Sequence, residues 1–583
     1  MAKSPQQIAQ KLASQLQAGQ FGAAAKLAKT ATKQFPKESH FANVAATALI
    51  NMDRTREALP FFAKALQLAP GHEEYQNNLI HAYIVAKQHE KANELIERFL
   101  PTRKDASKLL HLKAFSAQLQ AKHEDTIVAA TKGLEQDGPL QTTFLEMRGM
   151  AYDHQNDFGR ALEDFDQLLE IDPDNCRALQ LKANLLLDNY QTENAIALLE
   201  NALDRHPKDC GLLTAMASAH FSQGEVESAH THLDEAMKIN PNSSETLILL
   251  AKSLKGDVLQ KYMPKAQEAL KAHPKGSSGW CNIQFALGHM YFASRNYQAA
   301  GRHYEKANGG LSKLEIHRQE AEDTKFEKIL AATPAGPCEW TEPRDGQPKT
   351  ILVVGQPRSG TTLTEMVLSS HPDVASCGEL MNGAVAAKQF IDADLEFDPK
   401  LFESEYTGNL PEQVLHHPAF VDKMPSNYRH IGMFLHGLPG VRIIHIERDP
   451  RDVALSMWKE RFKADGLRFT NDLVHIAQQA NLYRRYMRHW EKEFPGQFLT
   501  IRYDDLVSDL EATSKKMAEF AGLDWTEAMM SPERNKASVR TASVVQVREG
   551  VHKKSLGGWR RMEEALRPFN KALDRDLWPE LEW

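Results

Sequence analysis

At 583 residues the chain is too long for one ordinary domain, and 42% apolar with 25% charged residues is the composition of a folded, water-soluble protein in two or more parts. Lys plus Arg number 70 against 77 Asp plus Glu, a net charge of −7 that argues against wholesale nucleic-acid binding and permits local basic pockets. Five cysteines (Cys176, Cys210, Cys281, Cys338, Cys377) form no C-x-x-C pair and are odd in number, so neither a zinc site nor a disulfide framework is expected.

The stretch MAKSPQQIAQKLASQLQAGQ holds no continuous apolar run, and no uncharged apolar segment approaches membrane-spanning length. A cytoplasmic setting without membrane or nucleic-acid partners is expected. The first half then repeats itself: Ala24, Ala58, Ala92, Thr126, Ala161, Ala195 and Ala229 follow one another at steps of 34, 34, 34, 35, 34 and 34 residues. Prolines keep the same beat at Pro36, Pro70, Pro139, Pro173, Pro207 and Pro241, where a second helix should stop. In FGRALEDFDQLLEIDPDN, small Ala161 lets two helices approach, Phe165 and Leu168 fill the gap, and Pro173 ends the helix. The segment resembles tetratricopeptide (TPR) repeats. One later unit, FALGHMYFASRNYQAAGRHYEKAN, places Gly288, Tyr291, Ala300, Tyr304 and Ala307 at the expected offsets, while residues 242–279 keep a partial match through Ala266, Ala269 and Pro274. Eight or nine repeats are therefore expected over residues 1–310, as an all-α TPR solenoid whose helix pairs bury their apolar faces on one another. Cys176 and Cys210, 34 residues apart, fall at equivalent repeat positions. The concave groove of such an array suits a peptide or protein partner.

After Asn308 the sequence GGLSKLEIHRQEAEDTKFEKILAATPAGPCEWTEPRDGQPK reads as a turn, a polar helix and a Pro/Gly-rich connector over residues 311–348. From Lys349 onward TILVV, VRIIHI and FLTIR alternate with helical patterns, which predicts an α/β domain with a mainly parallel sheet over 349–583.

Its first strand, Ile351 to Val354, runs into Gly355-Gln-Pro-Arg-Ser-Gly360-Thr-Thr and then a helix from about Thr361 to Ser370. Strand, glycine turn and helix N-terminus form an anion cradle, with hydroxyls from Ser359, Thr361 and Thr362. Thr361 stands where a Walker A loop carries lysine, so Arg358 must supply the cation. A plain glycine turn would explain Gly355 and Gly360 but not the arginine and three hydroxyls. In VRIIHIERDPRDVALSMWKERF, a strand delivers Arg448, and Ser456 lies about two turns into the helix that Asp449-Pro450 opens. Those charges read equally well as a surface ion-pair cluster. Together, however, the two pieces offer two separate anion sites, the requirement of a nucleotide phosphorylated at both its 5′ and 3′ ends.

The region 349–583 resembles the sulfotransferases that use 3′-phosphoadenosine 5′-phosphosulfate (PAPS): PRSGTTL looks like their 5′-phosphosulfate loop and RDPRDVALS like their 3′-phosphate motif. Within that superfamily the order PRSGTTL, HP, CGE and the tail SVVQVREGVHKKSLGGW are similar to tyrosylprotein sulfotransferases and to bacterial proteins fusing TPR repeats to such a domain. The resemblance implies the sulfotransferase fold, no metal, and transfer of a sulfuryl group from PAPS to an acceptor hydroxyl. A protein tyrosine or other protein hydroxyl is the favoured acceptor, with carbohydrates and small alcohols open, and the TPR array would recruit acceptor or partner. It further implies Glu379 as general base, Lys423 as the cation that stabilises the transition state and Ser543 as the serine paired with it, His371 being the rival base. Arg358, Ser359, Gly360, Thr361 and Thr362 would bind the 5′-phosphosulfate, Arg448 and Ser456 the 3′-phosphate, and Tyr503 the adenine face. The loop from Ser543 to His552, with Gln546, Val547, Arg548 and His552, would close over the nucleotide. Gly558 stands where the family carries a basic residue, with Lys553, Lys554 and Arg560 as candidate replacements. Read without the resemblance, Glu379 is a helix cap and Lys423 a solvated loop lysine. Two other classes stay open: a nucleotide kinase or ATPase, which should prefer Mg²⁺-ATP, and a TPR scaffold with an inactive nucleotide-binding domain.

Overall fold

The computed structural model describes residues 4–582 except 137, 156, 254–256, 340, 393–394, 409, 463–464 and 536–549. Among the described residues nine antiparallel helix pairs follow one another, from Pro5–Gln17 with Phe21–Gln34 to Ser278–Ala293 with Tyr297–Leu314. The degenerate stretch is a repeat in its own right: helices Ser244–Ser253 and Asp257–Ala272 form a pair in which Ala266 and Ala269 are fully buried. Cys176 and Cys210 each open the first helix of a pair, at equivalent sites as their spacing requires.

The periodic alanines, Ala24 through Ala229, have no exposed surface. Each sits where a larger side chain would force neighbouring helices apart, so Ala161→Leu is expected to cost about 1–3 kcal/mol by overpacking. Thermal unfolding checks this; an unchanged Tm would mean that the seam at Ala161 is loose.

The chain divides into two compact units, Met1–Leu181 and Lys182–Trp583, so the division falls inside the repeat array. In the second unit the later repeats and the α/β domain share one core: Cys281, Phe285 and Tyr304 belong to the same apolar cluster as Leu352, Ile443, Trp458 and Trp490. The side-chain amide of Asn308 donates to the Trp458 carbonyl at 2.9 Å. The expected turn at Gly309-Gly310 is absent, because helix Tyr297–Leu314 continues through both glycines. A Cβ on Gly310 would lie 2.5 Å from Cys281 Sγ, so the missing side chain serves close helix approach rather than a turn.

Among the described residues five strands follow: β1 (Lys349–Gly355), β2 (Val374–Ser376), β3 (Ala419–Asp422), β4 (Arg442–Glu447) and β5 (Leu499–Arg502). They form a wholly parallel sheet in the order β2-β3-β1-β4-β5. Alternate residues of β1 enter different cores, Ile351 and Val353 joining Val421, Ile444 and Ile446 while Leu352 and Val354 join Phe420 and Ile443. Helices Thr361–Leu368 and Leu510–Ala521 cover the first face; the long helix Leu473–Glu493 covers the second with Tyr486 and Trp490. A sheet covered on both faces explains why its strands read as unbroken apolar runs. The chain leaves β1 toward β2 and leaves β4 toward β5, in opposite directions, which opens a crevice at the carboxyl ends of these two neighbours. No helix among the described residues is long and apolar enough to cross a membrane.

Candidate active site

The loop leaving β1 turns tightly. Arg358 adopts a left-handed conformation at φ 71°, and Ser359 N–H donates to the Gln356 carbonyl at 3.1 Å. Gly360, at φ 114°, precedes helix Thr361–Leu368, and a Cβ there would fall 2.4 Å from the Tyr503 ring. Glycine is required twice over at this position, by conformation and by space.

The loop after β4 reaches into the same crevice. Arg358 Nε donates to Ser456 Oγ at 2.9 Å, and Arg448 Nη1 donates to the Arg358 carbonyl at 3.1 Å. Ser456 is presented by helix Pro450–Trp458, which Asp449 caps by accepting from Arg451 N–H. Arg448 also donates to the Ser555 carbonyl at 2.9 Å and lies 4.3 Å from the centre of the Tyr503 ring, whose hydroxyl is 3.0 Å from Ser555 Oγ. The structure thus gathers Arg358, Ser359, Gly360, Arg448, Ser456 and Tyr503 into one cluster, with Thr361 and Thr362 opening the helix beside it.

Two donors of this cluster, Ser359 Oγ and Arg448 Nε, are buried and have no hydrogen-bond partner among the described residues. Leaving such groups unpaired costs about 1–3 kcal/mol each, which anionic oxygens in the crevice would recover. Burial lowers the Arg358 pKa, buried Glu460 opposes that, and Arg448 adds to it. Glu460 is itself held by Lys252 Nζ at 2.5 Å. Asp452 accepts from the backbone N–H groups of Gly557 at 2.8 Å and Trp559 at 2.9 Å, fixing the LGGW segment against the start of helix Pro450–Trp458. Arg560 lies 4.9 Å from the Trp559 ring centre, while Lys553 and Lys554 are exposed. His552 is half-buried; Ser543, Gln546, Val547 and Arg548 lie outside the described residues.

A second cluster forms where β3 ends. Lys423, the next residue, is fully buried, and its Nζ is 2.6 Å from Glu379 Oε1 and 3.8 Å from Glu365 Oε2. Glu379 therefore pairs with Lys423 instead of capping helix Asn382–Asp392, and Lys423 is not a solvated loop lysine. Burial works against the Lys423 charge, but Glu379 and Glu365 outweigh it and hold the pKa above the ordinary lysine value. Glu365, one turn beyond Thr361, accepts from Ser376 Oγ at 2.8 Å and from Gly378 N–H at 2.9 Å. Burial raises its carboxyl, with Lys423 and those donors pulling the other way. Beneath them Asp422 accepts from the Tyr406 hydroxyl at 3.0 Å, and burial pushes it up to about 7. His371 has both ring nitrogens engaged by backbone, Nε2 with the Asp524 carbonyl at 2.8 Å and Nδ1 with Asp373 N–H at 3.1 Å, and so belongs to its turn.

Sequence reasoning missed Glu365, Asp422, Ser555 and Tyr190. Glu365 had a signal, an acid inside the apolar helix TLTEMVL. Ser555 lies in the tail already singled out. Tyr190, in the turn between helices Cys176–Asp188 and Thr192–Arg205, accepts from Glu379 N–H at 3.0 Å and had none.

A parallel sheet whose carboxyl edge carries a cluster of arginine and hydroxyl donors beside a buried lysine–carboxylate group can hold a phosphorylated nucleotide and move a proton next to it. Residues 348–527 match the sulfotransferase family, and residues 49–114, 143–175 and 186–253 match tetratricopeptide repeats. The chain carries a sulfotransferase-family domain behind tetratricopeptide repeats. An uncharacterized protein of Aquifex aeolicus (strain VF5) is 31% identical over 419 residues, covering 67% of this chain and 54% of that protein, so the chain spans about half of that relative's length. A Caenorhabditis briggsae protein named "Putative protein-tyrosine sulfotransferase" is 26% identical over 232 residues, 36% of this chain and 80% of the relative. The sulfotransferase domain from the Synechococcus PCC 7002 olefin synthase is 18% identical at a TM-score of 0.27, covering 40% of this chain and 98% of that domain.

Proposed function

We propose that the domain from residue 349 onward transfers a sulfuryl group from PAPS to an acceptor hydroxyl, a protein tyrosine first among them, and that the repeats recruit the acceptor or its partner. The observation that carries this reading is the pair of buried donors, Ser359 Oγ and Arg448 Nε, on two adjoining loops, which have no hydrogen-bond partner among the described residues. They suit a ligand with anionic groups at two separate points. Ser359, Gly360, Thr361 and Thr362 would hold the 5′ end with Arg358, and Arg448 with Ser456 the 3′-phosphate. PAPS supplies the sulfuryl group and the leaving phosphate. Glu379 takes the acceptor proton, and Lys423 presents its charge to the departing oxygen. Glu365 gives this arrangement its logic: when Glu379 becomes neutral, Lys423 still has a buried counter-ion 3.8 Å away. Thr361 in place of the Walker lysine weighs against the kinase alternative. The name of the Caenorhabditis briggsae relative and the peptide-binding habit of repeat grooves support a tyrosyl acceptor.

Calorimetry on the whole chain tests the nucleotide half of the reading. Adenosine 3′,5′-bisphosphate is expected to bind more tightly than ADP or Mg²⁺-ATP, and Arg448→Ala to weaken it by about tenfold or more, the worth of a charge-assisted hydrogen bond. Preference for Mg²⁺-ATP would overturn the proposal in favour of a kinase.

A further inference from the structure

Repeat turns in this chain pass through a left-handed residue: Gly19 at φ 68°, Lys87 at 59°, Tyr190 at 60°, Gly224 at 85°. Glycine fills the position at no steric cost, whereas any other residue gives up about 1–2 kcal/mol, as Asp53, Lys87, Ala121 and Arg295 also do in their turns. What sets residue 190 apart is where its side chain goes: the tyrosine reaches the Gly378-Glu379 peptide.

The fit there is close. The phenol oxygen accepts from Glu379 N–H at 3.0 Å. Gly378, itself at φ 62°, leaves the space, since a Cβ on it would lie 2.1 Å from that oxygen. Glu379 in turn is paired with Lys423 at 2.6 Å, and Lys423 is backed by Glu365. Burial and the two carboxylates push the phenol pKa well above its ordinary value, with Lys423 opposing, so the hydroxyl stays protonated. A neutral phenol held on the Glu379 backbone, beside the Glu379–Lys423 pair, is in the protonation state in which an acceptor tyrosine arrives.

We propose that Tyr190 occupies the acceptor-hydroxyl position beside Glu379 and Lys423, so that the resting chain holds its own phenol in the acceptor pocket and external acceptors are phenolic groups that enter by displacing it. The inference rests on the sulfuryl-transfer reading for the identity of that pocket. Displacement lowers apparent affinity by the fraction of time that Tyr190 is out. Affinity should therefore rise when the ring is removed.

The test titrates 2-naphthol by calorimetry into full-length wild type, Tyr190→Gly and Tyr190→Phe, each with and without adenosine 3′,5′-bisphosphate. Glycine suits the turn, so the backbone should persist. Tyr190→Gly is expected to bind 2-naphthol about tenfold more tightly or better, while Tyr190→Phe, whose ring still fills the pocket, stays within about threefold of wild type. Equal affinity in all three, or binding in none, overturns the proposal. So does a lower Tm in Tyr190→Gly without tighter binding, which would make Tyr190 a structural strut. The bisphosphate arm separates the two readings: a naphthol gain without bisphosphate binding sinks sulfuryl transfer and leaves a phenol pocket, whereas intact bisphosphate binding without the gain sinks only the role of Tyr190.

Discussion

Lys423→Ala is expected to lower sulfuryl transfer by about 10²- to 10³-fold, the range for removing a preorganised donor from a developing charge, while adenosine 3′,5′-bisphosphate still binds within about threefold of wild type. The buried side chain has no solvent to replace it, and Glu365 is left without its cation. An uncompensated buried charge costs about 3–5 kcal/mol, so stability falls as well. Protonation of Glu365 relieves that cost, which fixes the direction of the pH effect: the Tm deficit of the variant should be larger at pH 8 than at pH 5. Lys423→Met, which keeps the volume, separates charge from packing and should be equally inactive. Initial rates with PAPS decide the matter. Full activity in either variant would remove Lys423 from the chemistry, whereas no transfer by the wild type would revive the scaffold alternative.

Gly360→Ala is expected to weaken bisphosphate binding by at least about 30-fold, some 2 kcal/mol, within the range for a strained non-glycine backbone. The added methyl would meet the Tyr503 ring at 2.4 Å, and Tyr503 is held from its other neighbours by the Arg448 guanidinium and Ser555. The ring cannot retreat without disturbing Arg448. A double variant with Tyr503→Ala relieves the collision but not the left-handed backbone at φ 114°, so it should recover only part of the loss. Wild-type affinity in the single variant would show that this loop does not bind the nucleotide.

The repeats and the sheet were legible because each obeys a period: 34 residues for the helix pairs, unbroken apolar runs for strands buried on both faces. β2 escaped because Val374–Ser376 is too short to show any period. Gly309-Gly310 misled because glycine has two uses, turning a chain and letting helices touch, and only the partner, Cys281, says which applies. The loop from Gly355 to Thr362 was readable because its strand, turn and helix are contiguous in sequence. Glu379 and Lys423 emerged only through family resemblance, since their 2.6 Å contact joins residues 44 positions apart. Tyr190 could not be read at all: the tyrosine stands 189 positions from the glutamate it meets, on an element whose pattern otherwise speaks only of helix packing.

The shared core of the second unit also sets an order of assembly. Trp559 and Trp578 lie in the same cluster as Cys281, Phe285 and Tyr304. A ribosome must therefore deliver almost 300 further residues after Cys281 before the later repeats can complete their packing, whereas Met1–Leu181 closes on contacts of its own. During synthesis the earlier repeats can fold as they emerge, while the later ones wait with apolar surface exposed, the state in which chaperones are engaged.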